Sequence, residues 1–409
     1  MDATTRVIRY MTATMIGDTK VVSLGLSEFR VCRRGDIIPA CEAAKNQGQT
    51  ARLKRYAIYF CFFLAWVSLT FFMTGGRGDP SWLGNWQRWD ARWYEQIWLH
   101  GYPASDPRTL VFPPGYPLVV GILSRVFLRS FLATGIFLNL IAFFTTATLI
   151  SEWFARKFGV SPFLVFLFVL SSPASYFAFT SYSDILFMFL FWLLLWLAVS
   201  SPAMPGRKGL IAQAALLFVL PWIRITGYAL AAWLLDRRVV AVSVLGSLAL
   251  WLGFNEVVAG SPFYFLHAQQ LFAMPSGNLF QGFFFSLERL FSNDLANGFV
   301  IPWLQFAVLP LFYFGTLVTA SIWLVKKGES LLAITLLSIL ILSHNQGVWR
   351  SAVRYDLPIL PVLCLPLLVK HDSRAASYFY KTAFYLLVAG QFALQIAFAR
   401  IFHSGGWAF

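Results

Sequence analysis

Trp89-Asp90-Ala91-Arg92-Trp93-Tyr94-Glu95-Gln96-Ile97-Trp98-Leu99-His100-Gly101-Tyr102, followed by Phe112-Pro113-Pro114-Gly115-Tyr116-Pro117-Leu118, is the stretch whose reading decides the fold. It is polar, charged and aromatic, and it stands just after the first apolar run of a chain that is otherwise largely lipid-soluble. Over 409 residues, 58% are hydrophobic, 18% aromatic and only 12% charged. A soluble domain carries about 25% charged residues. Apolar runs of about 20 residues recur, each long enough to cross a bilayer core of about 30 Å. The composition excludes an ordinary soluble enzyme and specifies an all-α polytopic membrane protein.

Outward from that stretch, the first apolar run (56–73) is preceded by Arg52, Lys54 and Arg55. Flanking cations hold an amino terminus in the cytoplasm, which makes 75–130 the first extracytoplasmic loop. Further spans are expected near 131–153, 160–179, 182–200, 209–222, 223–235, 238–258, 299–325, 330–346, 354–370 and 381–402. The bundle then has about eleven transmembrane helices, within a range of roughly nine to twelve. Arg156/Lys157, Arg207/Lys208, Arg237/Arg238, Lys326/Lys327 and Lys370/Arg374 all fall in loops that alternation assigns to the cytoplasm. The 209–235 pair is short enough to be one broken helix. Pro114 to Arg129 suits a juxtamembrane or re-entrant helix.

Residues 1–52 are mixed and polar, with Arg6, Arg9, Lys20, Arg30, Arg33 and Arg34 and no apolar core of signal-peptide type. They read as a cytoplasmic, poorly ordered extension ahead of a membrane-embedded domain at 53–409. The net charge of +14 is spread in small clusters between apolar runs, with no basic face or stacking platform, so no nucleic-acid partner is expected. Cys32, Cys41, Cys61 and Cys364 show no metal-ligand spacing and suggest no disulfide framework.

An acid near the surface of so apolar a protein needs a partner or a purpose. Asp79, Asp90, Glu95, Asp106, Asp184, Glu256, Glu288, Asp294 and Asp356 lie on the extracytoplasmic side by alternation. Trp86, Trp89 or Asp90, Trp93 and Ile97 recur at helical spacing, so 86–99 reads as an amphipathic helix lying along the membrane surface. Asp90 then either faces a cavity or pairs Arg92 or Arg88 within an ordinary aromatic belt. Asp184, after Tyr182-Ser183, either serves the site or caps the next helix. Arg224 sits inside an apolar run, and Arg350 and Arg354 with Tyr355 open another span. Three arginines can hold a phosphate bidentately, or bind lipid headgroups, or pair with the acids. His100, His267, His344, His371 and His403 form no zinc-like spacing, so no metal site is assigned.

With these residues in view, the chain resembles the GPI mannosyltransferase II family, the PIG-V type, within the GT-C class of membrane glycosyltransferases. The resemblance rests on Trp89, Asp90, Ala91, Ile97, Gly101 and Tyr102, then Phe112, Pro114, Gly115, Tyr116, Pro117 and Leu118. Pro173 with Tyr182-Ser183-Asp184, Arg224 with Gly227, and Arg354-Tyr355 followed by Pro358 and Pro361 keep the same order. The chain departs from the family at Asp184, where Glu is usual, and at Thr226, where Asn is usual.

The resemblance implies a GT-C bundle and transfer of a sugar, mannose by expectation, from a polyprenyl- or dolichyl-phosphate donor. The acceptor would be a glycan or glycolipid at the extracytoplasmic face, with membrane lipid as the surrounding partner. Asp90 is the implied base, and inversion follows if attack opposes the departing phosphate. Trp89, Arg92, Tyr94, Glu95, Tyr102, Tyr116, Tyr182, Asp184, Arg224, Arg350, Arg354 and Tyr355 are the expected substrate-binding residues. No cofactor is expected, although acidic loops of this kind bind a divalent ion in some relatives. The competing class is a lipid or solute transporter or flippase; the 89–118 pattern has no second copy of the kind that repeated transporter halves carry.

Overall fold

The structure, a computed structural model, describes residues 15–16, 19–23, 29–33, 37–75, 81–103, 106–127, 129–199, 207–230, 238–271, 278–292, 300–344, 349, 351–370 and 373–406. Residues 1–62 and 63–409 form two compact units. In the first, strands β1 (Met15–Ile16), β2 (Thr19–Ser23) and β3 (Phe29–Arg33) make a small antiparallel sheet in the order β1-β2-β3. The extension thus carries strands where the sequence gives no sustained period. Val21 and Val31 pair directly across it, as β-branched residues favour. From Ile37 onward, the secondary structure among the described residues is helical.

Among the described residues, the α-helices of seven or more residues are, in chain order, α1 (Ile37–Met73), α2 (Asp90–His100), α3 (Gly115–Val126), α4 (Phe131–Phe158), α5 (Pro162–Ser171), α6 (Ser183–Val199), α7 (Arg207–Ile223), α8 (Arg238–Ala259), α9 (Tyr264–Gln270), α10 (Leu279–Leu290), α11 (Leu309–Lys326), α12 (Ser330–His344) and α13 (Arg374–His403). Among the described residues, five stretches are long and apolar enough to cross a membrane: Gln49–Met73, Phe131–Phe158, Ala241–Ala259, Leu304–Lys326 and Arg374–His403. Only 22% to 50% of their most apolar windows is buried within the molecule. Water would oppose such exposure of Phe137, Ile141, Leu245, Leu250, Ile322 and Leu386; a bilayer welcomes it. The chain is an integral membrane protein.

Several expected spans are interrupted. The 160–179 run is helical only to Ser171, because Pro173 removes a donor and its neighbour Ser172 is forced to an extended ψ of 133°. Beyond the break lies a 3-10 turn, Ser175–Phe179, in which every residue is buried. The 354–370 run, with Pro358, Pro361 and Pro366, breaks into Ala352–Tyr355, the 3-10 turn Leu360–Cys364 and Leu365–Leu368. The 209–235 pair has a single described α-helix, α7, which holds Pro221 and stops at Ile223. Beyond Arg224 the chain turns into a 3-10 segment, Ile225–Leu230. Gly227 lets it fold back, since a Cβ there would lie 2.7 Å from Leu220 C and Pro221 N.

Caps fix the helices that frame this region. Ser130 Oγ accepts from Ala133 N–H at 3.2 Å at the start of α4, and Gly159 ends it at φ 68°. Ser373 does the same for α13, accepting from Ala376 N–H at 3.1 Å. Helix α4 packs on α5 and α6, α6 on α7, and α7 on α8, while α13 lies against α5. Asp184 at the start of α6, Arg224 just past the end of α7 and Arg354 of the short Ala352–Tyr355 helix meet one another.

Candidate active site

A buried irregular connection must have its backbone groups satisfied from within. Between α5 and α6, Ser175 Oγ donates to Leu170 O (2.8 Å) and Ser172 O (2.6 Å). From α4, the fully buried Asn139 donates to Thr180 O and Tyr182 O, both at 2.8 Å. Tyr116 of α3 joins at 3.2 Å to both Asn139 and Ser181. This network delivers Tyr182, Ser183 and Asp184 to a fixed place at the start of α6.

Asp184 is 1% exposed and meets two guanidinium groups. Arg354 Nε donates to both its oxygens at 3.1 Å, and Nη2 adds a bond to Oδ2 at 3.0 Å. Arg224 Nη1 donates to Oδ1. Arg354 Nη2 also donates to Asp90 Oδ2. The cluster therefore holds two carboxylates and two guanidiniums and is formally neutral, the condition under which charge is tolerated in so apolar a setting. Its members differ in access. The Asp184 and Arg354 side chains are 1% and 3% exposed, whereas those of Asp90 and Arg224 are 19% and 14% exposed.

Aromatic faces enclose the guanidiniums. Arg354 lies 4.5 Å from the Tyr182 ring centroid, 5.3 Å from Phe177 and 5.5 Å from Tyr355. Arg224 lies 4.9 Å from Tyr355. Such contacts favour a desolvated cation. Tyr94 of α2 shares a hydrogen bond with Ser183 Oγ at 2.7 Å. Burial, then the Asp90 charge, pushes its hydroxyl above the ordinary tyrosine range, so it stays neutral.

The expected site residues thus separate into groups. Asp90, Asp184, Arg224, Arg354, Tyr182 and Tyr355 converge on one cluster, with Tyr94 and Tyr116 bonded to the residues beside it. Trp89 contributes its backbone turn; its side chain is 42% exposed. Arg92 does not pair with Asp90: its Nε donates to Gln87 O at 3.0 Å on the exposed side of α2. Glu95 accepts from Gln87, and Tyr102 donates to Phe112 O at 2.6 Å and abuts Phe254. These three stand outside the charge cluster. Arg350 lies outside the described residues, as do Asp79 and Asp294.

The helix expected over 86–99 begins only at Asp90. A 3-10 turn, Gly84–Trp86, precedes it, and Trp89 takes φ 48° and ψ −117°. Helical geometry ends there because a positive φ cannot continue an L-residue helix. Asn139 and Phe177 escaped the sequence reading. A lone amide inside the apolar 131–153 run was the available signal for Asn139; Phe177 gave none. Among the described residues no three His, Cys, Asp or Glu side chains gather as metal ligands, and each carboxylate of the cluster faces a guanidinium.

No protein-family model matches the chain, and no curated protein matches it. Among solved structures it is similar to ArnT from Cupriavidus metallidurans bound to undecaprenyl phosphate, with TM-score 0.48 and 14% identity over 85% of this chain and 73% of that one. It is also similar to the oligosaccharyltransferase of Archaeoglobus fulgidus tethered by a disulfide to an acceptor peptide, with TM-score 0.48 and 12% identity. That likeness covers 84% of this chain and 55% of the other, so the present chain spans little more than half of it.

Proposed function

We propose that this protein is a GT-C-class, PIG-V-like glycosyltransferase that moves mannose from a polyprenyl- or dolichyl-phosphate donor to a glycan or glycolipid acceptor at the extracytoplasmic face. The observation that carries the reading is the neutral four-charge cluster in which one acid, Asp90, and one arginine, Arg224, retain partial exposure. An acid and a cation side by side are what transfer from a sugar phosphate requires. The sequence resemblance around Trp89-Asp90-Ala91 supports the same class.

The acceptor hydroxyl hydrogen-bonds to the Asp90 oxygen that Arg354 leaves free, and its oxygen attacks the anomeric carbon. The new carbon–oxygen bond forms as the bond to the phosphate oxygen breaks. The hydroxyl proton passes to Asp90, the phosphate departs as an anion on the opposite side, and the anomeric centre is inverted. Arg224, one of whose nitrogens is occupied by Asp184, directs its remaining donors to the departing phosphate. Arg354 holds Asp90 and Asp184 together at the base of the cluster. Lipid around the apolar helices keeps the polyprenyl chain beside the reacting end.

The test is transfer by purified protein from radiolabelled polyprenyl-phosphate mannose into a membrane lipid extract, with size-exclusion profiles to check folding. Transfer by wild type and its loss in a well-folded Asp90→Asn protein is the expected result. Equal transfer by both proteins removes Asp90 from the chemistry. Transfer only from glucose- or arabinose-bearing donors keeps the class and replaces the sugar.

A further inference from the structure

Among the described residues, Trp89 is the only non-glycine with a positive φ. Its angles, φ 48° and ψ −117°, are those of the first central residue of a type II′ turn. Glycine normally fills that position, because the backbone mirrors the ordinary β region and crowds any Cβ. The turn is closed by Ala91 N–H donating to Arg88 O at 3.0 Å. Its second central residue is Asp90, so the direction of the Asp90 carboxylate depends on whether this unfavourable turn is held.

One side chain from elsewhere spans the turn. Tyr182 Oη donates to Arg88 O at 3.1 Å and accepts from Asp90 N–H at 3.3 Å, so a single hydroxyl grips the residues on both sides of Trp89. The same ring carries the Arg354 guanidinium on its face at 4.5 Å. It is itself fixed by Phe177, stacked at 5.1 Å, and by the edge of Phe402 at 6.0 Å. At 1% exposure, with its proton committed to a carbonyl, it has nothing to offer a substrate.

We infer that Tyr182 is a positioning residue: it clamps the strained Trp89 turn and thereby holds the Asp90 carboxylate in register with Arg354. This replaces the substrate-binding role expected for Tyr182. Its effect on transfer rests on the proposed role of Asp90; the clamp rests on geometry alone. A clamp of this kind sets the rate of the chemical step and leaves substrate affinity unchanged, because the misplaced group is one that acts in the transition state.

Four proteins test it: wild type, Tyr182→Phe, Trp89→Gly and the double variant, each assayed for mannose transfer kinetics and for thermal unfolding in detergent. Tyr182→Phe keeps the ring under Arg354 and removes only the hydroxyl. It is expected to lower kcat about 30- to 100-fold with donor KM within about twofold, and to lower the unfolding midpoint. In the Trp89→Gly background, where glycine adopts the turn unaided, the same change should cost less than about threefold in kcat and shift the midpoint little. Equal effects of Tyr182→Phe in the two backgrounds would overturn the clamp, as would a loss expressed in KM alone. If wild type transfers no sugar from any polyprenyl-phosphate donor, the proposed function fails by itself. The four midpoints then still decide the clamp: unequal shifts uphold it and equal shifts remove it.

Discussion

Two buried polar clusters in this protein solve the same problem differently. In the first, Asp90 and Asp184 meet Arg224 and Arg354, groups that stay charged at any accessible pH, so the cluster is held by opposed full charges. In the second, Ser343 donates to Asp356 Oδ1 at 2.7 Å, and His344 Nε2 stands 3.5 Å from Asp356 Oδ2 with both side chains fully buried. Trp349 closes that cluster, donating to His344 O at 2.9 Å and setting its ring edge-on to the imidazole at 4.5 Å. Asp356 here meets a hydroxyl and an imidazole in place of guanidinium groups. The first cluster keeps two members partly open; the second keeps none. A charged group left open at such cost points to a ligand, whereas a cluster with every side chain sealed points to a structural tie.

Substitutions can break that contrast. The largest effect is expected for Asp184→Asn, which leaves Arg224 without a carboxylate and Arg354 with Asp90 alone. Breaking a buried ion pair from one side costs about 3–5 kcal/mol, so yield, unfolding midpoint and transfer should all collapse. Asp90→Asn should lower transfer by about 10²- to 10⁴-fold, the usual worth of a general base, while the unfolding midpoint stays near that of wild type. If Asp90→Asn instead unfolds the protein, Asp90 belongs with Asp184 as a structural ion, and the contrast of access loses its meaning. Arg224→Lys keeps the charge and loses the planar fork, and a donor KM raised about tenfold is expected, with kcat changed less. The smallest effect on transfer belongs to the sealed cluster: Asp356→Asn should cost about 1–3 kcal/mol in thermal unfolding and leave kcat within about threefold of wild type. A larger kcat loss there would merge the two clusters into one functional unit.

The charges themselves were legible, because Asp90, Asp184, Arg224 and Arg354 each interrupt an apolar or aromatic run where an uncancelled charge is costly. Their pairing was not: Arg354 and Asp184 are 170 positions apart, Asp184 at the start of α6 and Arg354 on the short Ala352–Tyr355 helix that packs against α11 and α12. Hydropathy also reads a buried 3-10 turn such as Ser175–Phe179 as though it were helix, since its residues are equally apolar. Pro173, Pro221, Pro358 and Pro361 were the visible marks of those breaks. The geometry at Trp89 gave no compositional signal at all, because tryptophan is a residue that such a turn ordinarily excludes. Asn139, a single amide in a helix of hydrocarbon, marked where an irregular backbone would need donors.

The spacing of the cluster along the chain has a consequence for biosynthesis. Its members emerge from the ribosome in the order acid, acid, base, base. Arg224 comes 40 positions after Asp184, which at about 5–20 residues per second is roughly 2–8 s. Arg354 comes 170 positions after Asp184, and at that pace arrives roughly 10–30 s after it. During the first interval α6 must be retained at the membrane with an uncancelled acid at its start. Arg354 supplies the last of the four charges and α13 (Arg374–His403) still follows it, so the charge cluster can close only late in membrane insertion, with one long apolar helix yet to be added.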